Sequence, residues 1–343
     1  MKRFGVLSLM LAALLAPSRE ACAQHERSEH GHHGMAHNVA VGVKLEAKDD
    51  AAARTILLRV GPMKLPAHSD HLATAQPPAL YWAVPIDGWL VAYHPQLVDA
   101  AGNTVPGRLL HHVAFWNTRR SDLLCPNKEE HIFGAGGEMN DWPVLPGYGY
   151  RVHRGERIRI ETMVHNPTDT DYPRTYLEVR IEYRIRGAET AQIKSVYPTW
   201  LDVMQCGHSG YDLKPGPSTR TGEIAVKYSG ALLGVGGHMH DYGQRLVLEN
   251  ETRKEEVAAL DAKLDPSGRI LSMPMKTFFE VGGYRIHRGE KFQISASYDN
   301  PTGKELKDGA MGIVVGYFVP DEDALLEALR RPARATQIQK NGN

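Results

Sequence analysis

GYRVHRGERIRIETMVHNPT, residues 149–168, returns as GYRIHRGEKFQISASYDNPT, residues 283–302. The offset is 134 with no gap, and eleven of the twenty positions are identical. Solenoid units repeat every ~20–50 residues, so this period belongs to something larger. It predicts two homologous domains of roughly 120–150 residues, an ordinary domain size. The first is expected to end near Gly187 and the second to begin near Tyr197. The repeated block reads as a turn, a strand and the turn NPT. Other short runs, YLEVRIEYRI and GIVVGYFV, also have strand character, and DAAGNTVPG, HNPTDTDYP, LDPSG and DNPTGKE punctuate the chain between them. No long helical pattern precedes residue 320. The expectation is an all-β protein of two tandem antiparallel β-sandwich or barrel domains related by internal duplication.

The ends read differently. Residues 1–23 carry Lys2 and Arg3, an apolar run from Phe4 to Ala16 and an Ala21-Cys22-Ala23 cleavage pattern, which predicts a secretory signal peptide cut before Gln24. Residues 24–40 form a polar leader with five of the chain's seventeen histidines, expected to be disordered and able to bind metal loosely. The domains are expected at 41–190 and 195–320, with a short helix and tail at 321–343. An exported, periplasmic or extracellular protein leaves Cys125 and Cys206 free to pair, and the sequence leaves that pairing open. Forty basic and forty acidic residues balance, which argues against nucleic acid or an anionic membrane surface as a partner. No span is expected in the mature chain.

The repeat makes some residues informative by difference. His153 and His287 match inside the shared YRxHRGE segment, so both read as structural. His165 instead matches Asp299, and at the same offset Leu177 matches Met311. RLLHHVAFWN adds His111 and His112, which face opposite ways on a regular strand, so to share a metal the backbone must bend there or the two rings must use different nitrogens. GVGGHMHDYG adds His238 and His240, on one face by strand period. With Met311 they make two imidazoles and a thioether, a soft set suited to copper. With Asp299 in place of Met311, the pair would suit iron or zinc. Asp241, Tyr242 and Asp299 are candidates to orient the imidazoles.

HHVAFWN, MVHNPT, GGHMHDYG and the methionine of DGAMGIVVGYF stand in the order and approximate spacing seen in the copper type II, ascorbate-dependent monooxygenases. The chain resembles that family, which includes peptidylglycine α-hydroxylating and dopamine β-hydroxylating enzymes, over roughly residues 78–320. The resemblance implies jelly-roll topology in both domains and two copper ions per chain. His111, His112 and His165 match an electron-transfer copper. His238, His240 and Met311 match the copper where dioxygen is bound and a substrate C–H bond is hydroxylated. Ascorbate or another reductant would be co-substrate, and the organic substrate a small molecule.

Two departures bear on that substrate. Gly236 stands where the peptide-amidating members keep a carboxylate-gripping arginine, and Val315 where they keep a tyrosine. Peptidylglycine is therefore not the expected substrate. Two other classes remain open: a non-catalytic copper-binding or copper-sequestering exported protein, and a β-sandwich binding module without metal. The first would hold copper without consuming oxygen. The second would hold no stoichiometric metal.

Overall fold

Strand Thr55–Leu65 shows how the sequence makes the layers. Ile56, Leu58 and Val60 are buried, and the residues between them face partly outward. Phe292, Ile294, Ala296 and Tyr298 do the same in strand Lys291–Asn300. A period of two with one apolar face is what an antiparallel sheet over a core requires. The computed structural model of the protein describes residues 39–322 apart from 139, 140 and 143. Among these the helical content is three short 3-10 turns, and the rest is strand and loop. The expected leader segments before residue 39 and the helix and tail after 322 lie outside the described residues.

Among the described residues, no strand pairing crosses from the part before residue 196 to the part after it. The earlier part builds one sheet in the order Lys44–Asp50, Thr55–Leu65, Tyr172–Ile185, Gly88–Val98, Tyr148–Val152, Lys194–Ser195. A second sheet runs Leu80–Ala83, Arg157–Val164, Leu110–Ser121, Glu129–Gly136. The later part builds Tyr197–Asp202, Gly312–Pro320, Gly230–Met239, Met275–Thr277, with Tyr284–Ile286 also on Gly230–Met239. Its other main sheet runs Gly216–Ala225, Lys291–Asn300, Gly243–Asn250, Glu255–Asp261. Two short two-stranded pieces complete it.

The pairings recur with the sequence repeat. Trp89 pairs with Arg151, and Arg285, 134 residues after Arg151, pairs with Ala231, 142 residues after Trp89. Buried polar networks recur too. Asn117 donates to the Tyr150 hydroxyl at 2.9 Å and to Glu156 at 3.2 Å. Asn250 donates to the Tyr284 hydroxyl at 3.2 Å and to Glu290 at 3.1 Å. Arg120 and Arg253 each donate to a backbone carbonyl of the matching strand, Arg151 and Arg285. Tyr150 and Tyr284 donate to Glu130 and Glu255. The NPT turns are also built alike. Asn166 donates to the carbonyls of Leu65 and Thr170, and Asn300 to those of Leu213 and Lys304.

There are two apolar cores, and the first crosses the boundary. Leu233, Met311, Ile313 and Val315 of the later part pack with Leu58, Ile160, Val179 and Ile181 of the earlier part in one cluster. The opposite face of the same later sheet, with Val235, Met239 and Val314, packs into the second core. Residues on both sides of the boundary thus belong to one compact unit. The pairing left open by the sequence is made: Cys125 and Cys206 form a disulfide across 81 residues, tying a turn of the earlier part to one of the later part. At its sequence separation, a chain-entropy estimate puts its stabilisation on the order of 4 kcal/mol.

Asn166 is fully buried, and its amide serves several backbone and hydroxyl groups at once. Asn166→Ala should therefore lower stability by about 1–3 kcal/mol, the cost of stranding buried polar groups. Urea denaturation of wild type and variant measures it, and the matching change Asn300→Ala should act in the same direction.

Candidate metal centre

His111 and His112 come together because strand Leu110–Ser121 is irregular at its start. Leu110 pairs with Val164 and His112 with Met163, so His111 is an extra residue in the ladder. Such a bulge re-aims side chains, which supplies the bend that adjacent histidines need to share a side. Their ring centroids lie 4.9 Å apart. His165 follows the neighbouring strand Arg157–Val164. Its Nε2 lies 2.7 Å from the Arg108 carbonyl, which fits an Nε2–H donor and leaves Nδ1 as the lone pair. Its ring centroid is 5.2 Å from that of His111.

The later part contributes His240, whose ring centroid is 4.6 Å from that of His111. The Tyr298 hydroxyl holds it there. That oxygen accepts the backbone N–H of His240 and of Met311, each at 3.0 Å, and donates to the Met311 carbonyl. The strand register agrees: Met239 pairs with Gly312, so His240 and Met311 are neighbours across the ladder. His238 shares its strand face with Gly234 and Gly236. Its ring centroid is 5.6 Å from that of His240, and its Nδ1 is 2.8 Å from Glu138 Oε1.

Two sets were expected from the sequence, one of three histidines and one of two histidines and a methionine. The structure brings them side by side at the boundary between the two parts. Ligand nitrogens of His111, His112 and His240 all lie within 4.8 Å of one another. A further imidazole, His71, stacks on His111 with centroids 4.4 Å apart and planes 11° from parallel. Nothing in the spacing of HSDH, residues 68–71, marks His71, because it lies in a loop. Tertiary contacts place it: Ser69 exchanges two backbone hydrogen bonds with Asn166, next to His165. Glu138 was also missed. Of the three orienting candidates, Asp241 uses its carboxylate to accept the Ile270 N–H. His153 and His287 each give a backbone N–H to the glutamate three residues on, Glu156 and Glu290, as parts of a turn.

The electrostatics favour neutral rings. Burial, with the neighbouring imidazoles, pushes His111 and His240 well below the usual histidine range. Burial lowers His165 to about 4, against a partly opposing bond to Arg108. His238 differs: burial pushes it down, but the Glu138 carboxylate outweighs burial and leaves it above its ordinary value. Nε2 of His111, His238 and His240 is buried without a hydrogen-bond partner. Buried polar atoms are normally satisfied, and the neutral imidazoles of His111 and His240, with buried lone pairs, fit a bound cation. A cluster of imidazoles with no thiolate among its ligand atoms is a donor set that suits copper.

No model of a known protein family matches the chain. The chain is 21% identical over 234 residues to "Probable copper-dependent oxygenase clz3" of Cochliobolus lunatus, covering 62% of this chain and 72% of that protein. Among solved structures, the major capsid protein P2 of bacteriophage PM2 aligns with a TM-score of 0.31 and 11% identity, over 77% of this chain and 98% of that one. PBCV-1 VP54 aligns with a TM-score of 0.29 and 7% identity, over 84% and 99%. Likenesses as loose as these two carry no argument about the fold.

A lowered histidine pKa has a definite consequence for stability. Below about pH 6.5 the unfolded chain protonates His165 while the folded chain does not, until about pH 4. This residue's contribution to stability therefore falls as pH drops through that window and is flat above it. In the metal-free protein, His165→Asn should lessen the loss between pH 7 and pH 4.5, by up to roughly 1.4 kcal/mol per pH unit. Urea midpoints at the two pH values check it.

Proposed function

We propose that the protein is an exported copper-dependent monooxygenase, which hydroxylates a C–H bond of a small molecule with dioxygen and an external reductant such as ascorbate. The observation that carries this is the group of buried imidazoles, from both parts of the chain, whose Nε2 atoms at His111, His238 and His240 have no hydrogen-bond partner. The distant similarity to a copper-dependent oxygenase supports the same reading. His111, His112 and His165 would hold one copper, and His238, His240 and Met311 the other. Copper would supply the one-electron and dioxygen chemistry.

The chain's own residues do the rest. The bulge at His111 and the carbonyl of Arg108 aim the imidazoles of the first set. Tyr298 fixes the backbone of His240 against that of Met311. The apolar packing of Ile313 and Val315 with the earlier part limits water around the group, which strengthens every electrostatic contact within it. The surroundings of Gly236 are apolar as well: a side chain there would meet Met275 and Trp142. That offers no cation for a substrate carboxylate. The disulfide supports export, and no described helix is long and apolar enough to cross a membrane.

Protein expressed without the first 23 residues and loaded with copper should hold two ions per chain. It should consume oxygen with ascorbate when a suitable small molecule is present. His240→Ala should lose at least tenfold in copper affinity and all hydroxylation while keeping its β circular dichroism. Copper bound without oxygen uptake across a broad substrate panel would favour a sequestering protein, and no stoichiometric copper would refute the enzyme.

A further inference from the structure

We propose that Glu138 is a positioning residue for His238: it holds the imidazole by Nδ1 so that Nε2 is presented to a metal ion, and it does so from the opposite part of the chain. The inference rests on the copper reading above and assigns a residue that the resemblance does not.

Glu138 follows strand Glu129–Gly136 of the earlier part, whereas His238 lies on strand Gly230–Met239 of the later part. The Glu138 side chain is 2% exposed and that of His238 is 12% exposed. Glu138 Oε1 accepts from His238 Nδ1 at 2.8 Å and from the Gly136 N–H at 3.2 Å. The second bond fixes the carboxylate to its own backbone, so the imidazole meets an anchored acceptor. On the far side of the ring, Nε2 is buried with no hydrogen-bond partner. The ring is therefore bound on one nitrogen and open on the other.

Gly136 makes the meeting possible. A Cβ there would press on Glu138 Oε2 and lie 2.7 Å from His238 Cε1. Any larger residue would have to displace one of the two partners. A glycine that clears space for a buried carboxylate and a buried imidazole to touch across a boundary serves that contact.

The chemistry of the pair has two consequences. Metal-bound imidazoles commonly donate their other N–H to a carboxylate, which fixes the ring and raises the basicity of the ligating nitrogen. The imidazoles and the Met311 thioether bring no charge to a cation, whereas Glu138 brings a negative charge one ring away. A nearby negative charge in a medium of low dielectric stabilises the higher-charged ion more. Glu138 should thus both tighten binding and favour Cu(II) over Cu(I) at His238.

The test compares the full mature chain with its Glu138→Ala and Glu138→Gln variants. In the metal-free protein, nitrogen-15 shifts should report His238 with its proton on Nδ1 in wild type and in Glu138→Gln, whose amide oxygen still accepts. Glu138→Ala should lose that tautomer. In copper titrations against a competing chelator, Glu138→Ala should weaken one of two equivalents by about 10–100-fold. Glu138→Gln should recover most of that affinity and show a higher copper reduction potential. Glu138→Ala with wild-type tautomer, affinity and electron paramagnetic resonance signal would overturn the proposal. So would equal loss in both variants accompanied by equal loss of metal-free melting temperature, which would mark a role in folding alone. Wild-type protein that binds no copper would sink the copper reading, and with it the metal-presenting role of Glu138, while the tautomer measurement would still decide whether the contact exists.

Discussion

His240 reaches His111 because one sheet face of the later part is sealed against the earlier part. Met311, Ile313 and Val315 lie on that face and share a core with Ile160 and Val179. Removing apolar side chains from water favours this contact by about 25 cal/mol for each Å² buried. Neutral imidazoles have no mutual attraction of comparable size, so the histidines do not draw the two parts together. The apolar face does, and His238, His240 and the Met311 backbone are carried into place with it. The disulfide between Cys125 and Cys206 and the Glu138–His238 hydrogen bond are further ties across the same boundary.

The imidazoles are costly in the absence of a cation. Buried polar atoms without partners oppose folding, and Nε2 of His111, His238 and His240 is in that state. A fold does not accumulate such atoms at one place without compensation elsewhere. Here the surrounding structure supplies it: the doubled Asn–Tyr–Glu–Arg networks of the two parts carry hydrogen bonds from Asn117 and Asn250. Each part is thereby a firm support, and the site can hold an arrangement that would relax on a looser scaffold.

The sequence revealed the layers and the six nominated ligands' neighbourhoods to different degrees. The period of two in RIRIETMV and KFQISASY was enough to identify strands, and the 134-residue offset matched Arg151 with Arg285, which both pair within their own parts. Adjacent histidines at 111 and 112 left a local bend or the use of different ring nitrogens open, and the structure has a bulge there. What could not be read was how the two parts face each other. Spacing along the chain says which residues share a strand face and nothing about which residue of another sheet meets it. His71 and Glu138 are therefore invisible in the sequence: one is in a loop fastened beside Asn166, and the other reaches its partner across 100 residues. The closeness of His240 to His111 was hidden for the same reason.

Anomalous scattering at the copper edge from crystals of the copper-loaded protein is the most direct test of copper bound on both sides of this boundary. The account predicts copper peaks within bonding distance of nitrogens from His111 or His112 on one side of the boundary and from His238 or His240 on the other. Copper confined to other histidines of the chain, or an absence of peaks at these imidazoles, would contradict it.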